Sequence, residues 1–149
     1  MSSEIYRERI IEHYRNPRNY GSIDSAQIKV QESNPLCGDD IELYIKLDKE
    51  EKVEDIKFRA RGCAISVASA SLMTELLKGK KIDELLNFTK KELLDAVGVE
   101  ALGLNPVRIK CALLPYKALK IGIYSYLGRE IGEEKEYLLE YDAEADVSS

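Results

Sequence analysis

No run of about 18 apolar residues occurs anywhere in the sequence, so nothing in it reads as a bilayer-spanning segment. The opening, Met1 to Arg9, is charged throughout and offers no apolar stretch of the kind a secretory signal needs. The expectation is a soluble, cytoplasmic protein without a membrane partner. Positive charge is not in excess: 22 basic against 27 acidic side chains leave a net of −5. That argues against a broad phosphate-binding surface and against nucleic acid as a partner. With 9 Gly and 4 Pro in 149 residues, the chain is neither collagen-like nor low-complexity. Cysteine is scarce and odd in number, and a chain of this length buries a core without staples, so three cysteines do not make a disulfide framework. In a reducing compartment Cys37, Cys63 and Cys111 are expected to be free thiols, available to metal or sulfur chemistry. Histidine is scarcer still. His13 stands alone, in a helical stretch beside an apolar stripe and far in sequence from the cysteines, and reads as a structural or surface residue.

What is present is one domain's worth of core, 44% hydrophobic and 33% charged. The acidity sits at the end: residues 129–149 hold eight acidic and two basic side chains, and the rest is near neutral. The division expected is a domain over residues 1–128 and an acidic extension over 129–149. Ser2 or Ser3 can cap a first helix with Tyr6, Ile10 and Tyr14 on one face, stopped by Asn16-Pro17. A short strand follows around Ile28–Gln31. Ile41, Leu43, Ile45 and Leu47 then alternate with polar residues, as do Ile56, Phe58 and Ala60, which predicts an antiparallel hairpin with one wet face. Ala64 to Leu77 reads as a helix of small residues closed by Gly79. Two short helices follow, over Ile82–Phe88 and Lys90–Val97, the second opened by Thr89 and Glu92 at capping-box spacing. Val107, Ile109 and Cys111 share one parity, which predicts an extended approach to a last helix running from near Cys111 to Leu127, with Gly128 as its stop. Strands early and helices late make the class α+β.

All three cysteines fall at element ends: Cys37 in the turn before the first hairpin strand, Cys63 at a strand-to-helix junction, and Cys111 at the expected entry of the last helix. Positions of that kind let side chains converge at one end of a small sheet. A helix N-terminus favours thiolate over thiol, an effect expected at Cys63 and Cys111 and reinforced by Lys110. Asp39 shares parity with Cys37 and lies about 6.6 Å along an extended backbone, on the same side, whereas Asp40 points the other way. Three thiolates and one carboxylate are four donors, the number a tetrahedral site needs. Soft sulfur suits zinc or an iron–sulfur cluster, and one oxygen donor in place of a fourth thiolate weakens retention. Against this, a lone cysteine is commonly just a small buried hydrophobe, and the spacing has no finger-like pattern.

Four segments carry a resemblance that weighs on the choice. They are Tyr14 to Gly21, Asn34-Pro35-Leu36-Cys37-Gly38-Asp39, Gly62-Cys63 through Ser71, and Pro106-Val107-Arg108-Ile109-Lys110-Cys111. Together, in this order, they resemble the U-type iron–sulfur cluster scaffold family (IscU, SufU and the N-terminal part of NifU), across roughly residues 4 to 127. The resemblance implies a compact α+β domain in which helices pack on a three-stranded antiparallel sheet. It implies that Cys37, Asp39, Cys63 and Cys111 hold a [2Fe–2S] cluster, or zinc when no cluster is present. It also implies a cysteine desulfurase as sulfur donor, Cys111 as persulfide acceptor, and apo iron–sulfur proteins as recipients. Where classical IscU has a histidine before the third cysteine, this chain has Lys110, which leans toward SufU; the stretch from Cys63 to Cys111 is short for the SufU insertion. The chaperone signal of IscU is here only Leu104-Asn105-Pro106-Val107-Arg108. Lys110 is expected either to modulate the site, by pairing with Asp39 or a cluster sulfide, or to be a solvated surface lysine.

Three functions follow in order of preference. The first is a scaffold and carrier, not an enzyme, that builds a [2Fe–2S] cluster and hands it on. The second is a zinc-bound sulfur acceptor, a sulfurtransferase that activates a desulfurase. The third is a structural zinc domain. Donors gathered at one exposed end also suit a homodimer sharing the cluster.

Overall fold

A computed structural model describes residues 3–35 and 37–131, with side chains through residue 128. The elements in chain order are α1 (Ser3–Arg15), β1 (Ile28–Asn34), β2 (Asp39–Leu47), β3 (Val53–Arg61), α2 (Ala64–Leu77), α3 (Ile82–Asn87), α4 (Lys90–Val97), α5 (Val99–Leu102) and α6 (Pro106–Ile131). The three strands form one antiparallel sheet in the order β1-β2-β3, an α+β architecture. Alternation along β2 places Ile41, Leu43, Ile45 and Leu47 on the buried face, against Ile56 and Phe58 of β3, while Asp40, Glu42, Tyr44 and Lys46 stand on the wetter side. Helices α2 and α6 cover the apolar face, with Met73, Leu77, Leu119 and Ile123 fully buried between them and the sheet.

The small residues of α2 do what their size allows. Ser66, Ala68, Ser69, Ala70 and Ser71 are all buried, and the Ser69 hydroxyl donates to the Ala112 carbonyl of α6 at 2.6 Å. That bond serves a polar group that would otherwise be buried at a cost of about 1–3 kcal/mol. Gly122 brings α6 equally close to β1, since a Cβ there would stand 2.5 Å from the Val30 side chain. The buried face of α1 is Ile10 and His13; Tyr14, expected on it, is 48% exposed. His13 Nδ1 lies 2.7 Å from the Ser71 hydroxyl, which also accepts from the Arg18 N–H at 2.8 Å. The lone histidine therefore fastens α1 to α2. Lys120, 2% exposed, donates to the Leu85 and Leu86 carbonyls near the end of α3.

The approach to the last helix corrects an expectation. Residues 106–111 are helical, not extended. Pro106 sits at the first helical position, where its missing N–H costs nothing. Asn105 caps it, its Oδ1 accepting the Arg108 N–H at 2.9 Å. The helix also runs through Gly128 to Ile131 instead of stopping at Leu127. Residues 132–149, which hold most of the acidic extension, lie outside the described residues, as does Ser2. Among the described residues no helix is long and apolar enough to cross a membrane.

Candidate metal centre

The β1–β2 turn, the first residue of β2, the β3–α2 junction and helix α6 bring four side chains toward one end of the sheet. Cys37 rides on the turn from β1 to β2, where the Asn34 carbonyl accepts the N–H of Cys37 at 3.2 Å and of Gly38 at 2.9 Å. Gly38 has φ +70°, a left-handed conformation that suits glycine. Asp39 is the first residue of β2, paired in register with Asn34, and is 1% exposed. Gly62 closes β3, and Cys63 is the N-cap of α2. Cys111 lies inside α6, packed to 0% exposure.

The ligand atoms of Cys37, Asp39 and Cys111 all lie within 4.8 Å of one another. Cys37 Sγ and Cys111 Sγ are 2.8 Å apart, and Cys63 Sγ is 3.6 Å from Asp39 Oδ2. All three cysteines are free, Cys37 and Cys63 half-buried and Cys111 buried. Asp39 is held from the far side, its Oδ1 accepting the Cys63 N–H at 3.0 Å. A Cβ on Gly62 would come 2.1 Å from that same carboxylate oxygen, so only glycine fits there.

Cys63 Sγ lies outside the group of Cys37, Asp39 and Cys111 and meets it through the Asp39 carboxylate; with it, three sulfurs and one oxygen make the donor number that a tetrahedral thiophilic ion takes. Metal–sulfur bonds of 2.3 Å set neighbouring sulfurs about 3.8 Å apart around such an ion. The Cys37–Cys111 pair stands closer than that, at 2.8 Å, so the two sulfurs would have to part by about 1 Å to share such an ion.

Two expectations about the rim change. Cys111 is not at a helix N-terminus but in the second turn of α6, beyond the reach of the end charge. Burial above all, then its hydrogen bond to Cys37, pushes the Cys111 thiol well above the usual thiol range, opposite to the activation expected. Lys110, one residue earlier on the helix, is half-buried, and among the described residues its side chain makes neither an ion pair with Asp39 nor a hydrogen bond. Asp40 takes the other face of the sheet, where it accepts from the Ser33 hydroxyl.

Three neighbours of the site were not singled out by the sequence reading. Asn34 Nδ2 donates to Cys37 Sγ at 3.6 Å, and the Ser66 hydroxyl lies 3.8 Å from Cys63 Sγ while donating to the Cys63 carbonyl at 3.1 Å. Gly62 is the third. For Asn34 and Ser66 the available signal was position alone, three residues from a cysteine.

The chain is similar to known proteins along most of its length. Residues 5–133 match the NifU-like N terminal domain. The zinc-dependent sulfurtransferase SufU of Bacillus subtilis is 46% identical over 133 residues, covering 80% of this chain and 89% of its own. The iron–sulfur cluster assembly scaffold protein IscU of Escherichia coli is 40% identical, covering 81% of this chain and 93% of its own. Among solved structures, FiSufU from Fervidobacterium islandicum AW-1 superposes with a TM-score of 0.66 at 31% identity, covering 83% of this chain and 99% of that one. By matched length, identity and fold alike, the chain belongs to the NifU-like N-terminal domain family, alongside SufU and IscU.

Proposed function

We propose that this protein is a scaffold on which a [2Fe–2S] cluster is assembled from iron and persulfide sulfur, and from which it passes to apo-proteins. The observation carrying this reading is the clustering of the Cys37, Asp39 and Cys111 ligand atoms within 4.8 Å of one another, with Cys63 Sγ 3.6 Å from the Asp39 carboxylate, where all three thiols are free and Cys37 and Cys63 are half-buried. The cluster is cargo. Cys37, Asp39, Cys63 and Cys111 are its proposed ligands, and zinc is the ion the same donors take when no cluster is held. A carboxylate is a harder donor than thiolate and releases a thiophilic metal more readily, as a carrier requires.

Sulfur reaches the site from a cysteine desulfurase in the cytoplasm. In that step a thiolate of the scaffold attacks the outer sulfur of the desulfurase persulfide; the new S–S bond forms on the scaffold and the desulfurase cysteine leaves as thiolate. Cys111 is the proposed acceptor; since burial favours its neutral thiol, a bound metal ion, which deprotonates a coordinating thiol, would be what readies it. Cys111 is fully buried with its Sγ 2.8 Å from Cys37 Sγ, so meeting the desulfurase persulfide requires a local rearrangement of the site. A homodimer sharing one cluster is the proposed loaded assembly, since Cys37 and Cys63 are only half-buried.

The second reading is a zinc-bound sulfur acceptor that stimulates the desulfurase without holding a cluster. It is favoured by the 46% identity to a relative described as a zinc-dependent sulfurtransferase. Anaerobic purification with metal and sulfide analysis separates the two. About two iron and two sulfide per one or two chains supports the scaffold. A colourless zinc protein that accelerates the desulfurase, and takes up no iron on reconstitution, overturns it in favour of the acceptor.

A further inference from the structure

We infer that Asn34 is a positioning residue that ties the Cys37 sulfur to the end of the sheet and sets how fast the site lets its metal go. The inference rests on the metal-site reading above.

Of the four donors, Cys37 alone is carried by a turn; Asp39 starts a strand, Cys63 caps a helix, and Cys111 is inside one. A ligand on a turn departs easily unless something holds it. Asn34 does so twice. Its carbonyl accepts the N–H groups of Cys37 and Gly38, which shapes the backbone of the turn. Its side-chain amide donates to Cys37 Sγ at 3.6 Å, which aims the sulfur itself. Asn34 is only 9% exposed and is paired with Asp39, so its own place is fixed by the β1–β2 ladder. A hydrogen bond to a metal-bound sulfur draws electron density from it, and loss of such an outer partner typically weakens metal binding 10- to 100-fold.

The test uses the full chain loaded with zinc or with cobalt(II), comparing wild type with Asn34→Ala and the nearly isosteric Asn34→Asp. Both variants keep the main-chain bonds of the turn and lose the amide donor. Zinc release to an excess chelator is expected to be about tenfold faster in each. The sulfur-to-cobalt charge-transfer band is expected to move to longer wavelength, because the sulfur regains electron density. Release within twofold of wild type, slower release, or faster release with an unmoved band overturns the inference, the last outcome marking a purely structural role. If the wild type binds neither ion through its cysteines, the metal-site reading itself has failed, which no result among the variants can mimic.

Discussion

At the scale of single residues the rim depends on what is absent as much as on what is present. Gly62 has no side chain because the Asp39 carboxylate occupies that space, and its φ of +147° is one that residues with a side chain rarely adopt. Gly62→Ala is expected to cost about 1–3 kcal/mol and to push Asp39 out of place; thermal unfolding should fall by several degrees, and zinc content on purification should drop. His13 gives a pH signature. Burial, then the charge of Arg18, holds its imidazole below the usual 6.5, with Glu75 and Glu12 pulling the other way. Between the folded and unfolded values the unfolded chain binds more protons, so stability is full above pH 6.5 and is lost as the pH falls below it. Thermal unfolding from pH 7.5 to 5 should show that loss, and His13→Gln should show a shallower slope. The local setting of Cys37, Asp39 and Cys63 was legible in the sequence because Gly38, Gly62 and strand parity are local signals, whereas the parity read at Cys111 pointed to the wrong element. The burial of Cys111 was not legible, since it depends on α6 packing against α2 and β1, contacts distant in sequence.

At the scale of elements, the strands and α2 were legible because each pattern is long: four alternations in β2 and a helix of small residues in α2 outweigh any rival period. The start of α6 misled for the opposite reason. Val107 and Cys111 share a face at four-residue spacing in a helix as readily as at two-residue parity in a strand, and five residues do not separate the two. The signal that decides is Asn105-Pro106, a cap followed by a proline at the first helical position. Two caps let this be tested together. Thr89 accepts the Glu92 N–H at 3.2 Å at the start of α4, as Asn105 accepts the Arg108 N–H at the start of α6. Thr89→Ala and Asn105→Ala should each cost about 1 kcal/mol in urea unfolding. Only Asn105→Ala, which frays the turn leading to Cys111, should also speed zinc release to a chelator.

At the scale of the whole molecule, core and site are separate undertakings. The core runs from Ile10 to Ile123 and is closed by Leu, Ile, Val and Phe side chains from the sheet and the helices around it, with no part taken by Cys37, Asp39 or Cys63. A domain so built is expected to fold without metal, in contrast with small zinc modules that are unfolded without it. Removal of zinc by a chelator should therefore lower the unfolding temperature while leaving the far-ultraviolet dichroism of the folded chain in place. Collapse of that spectrum would mean that the metal is structural. The separation has an evolutionary side. Because Cys37, Asp39 and Cys63 occupy the ends of strands and the mouth of a helix, a lineage can swap one donor for another there, or lengthen a neighbouring loop, while inheriting the interior unchanged.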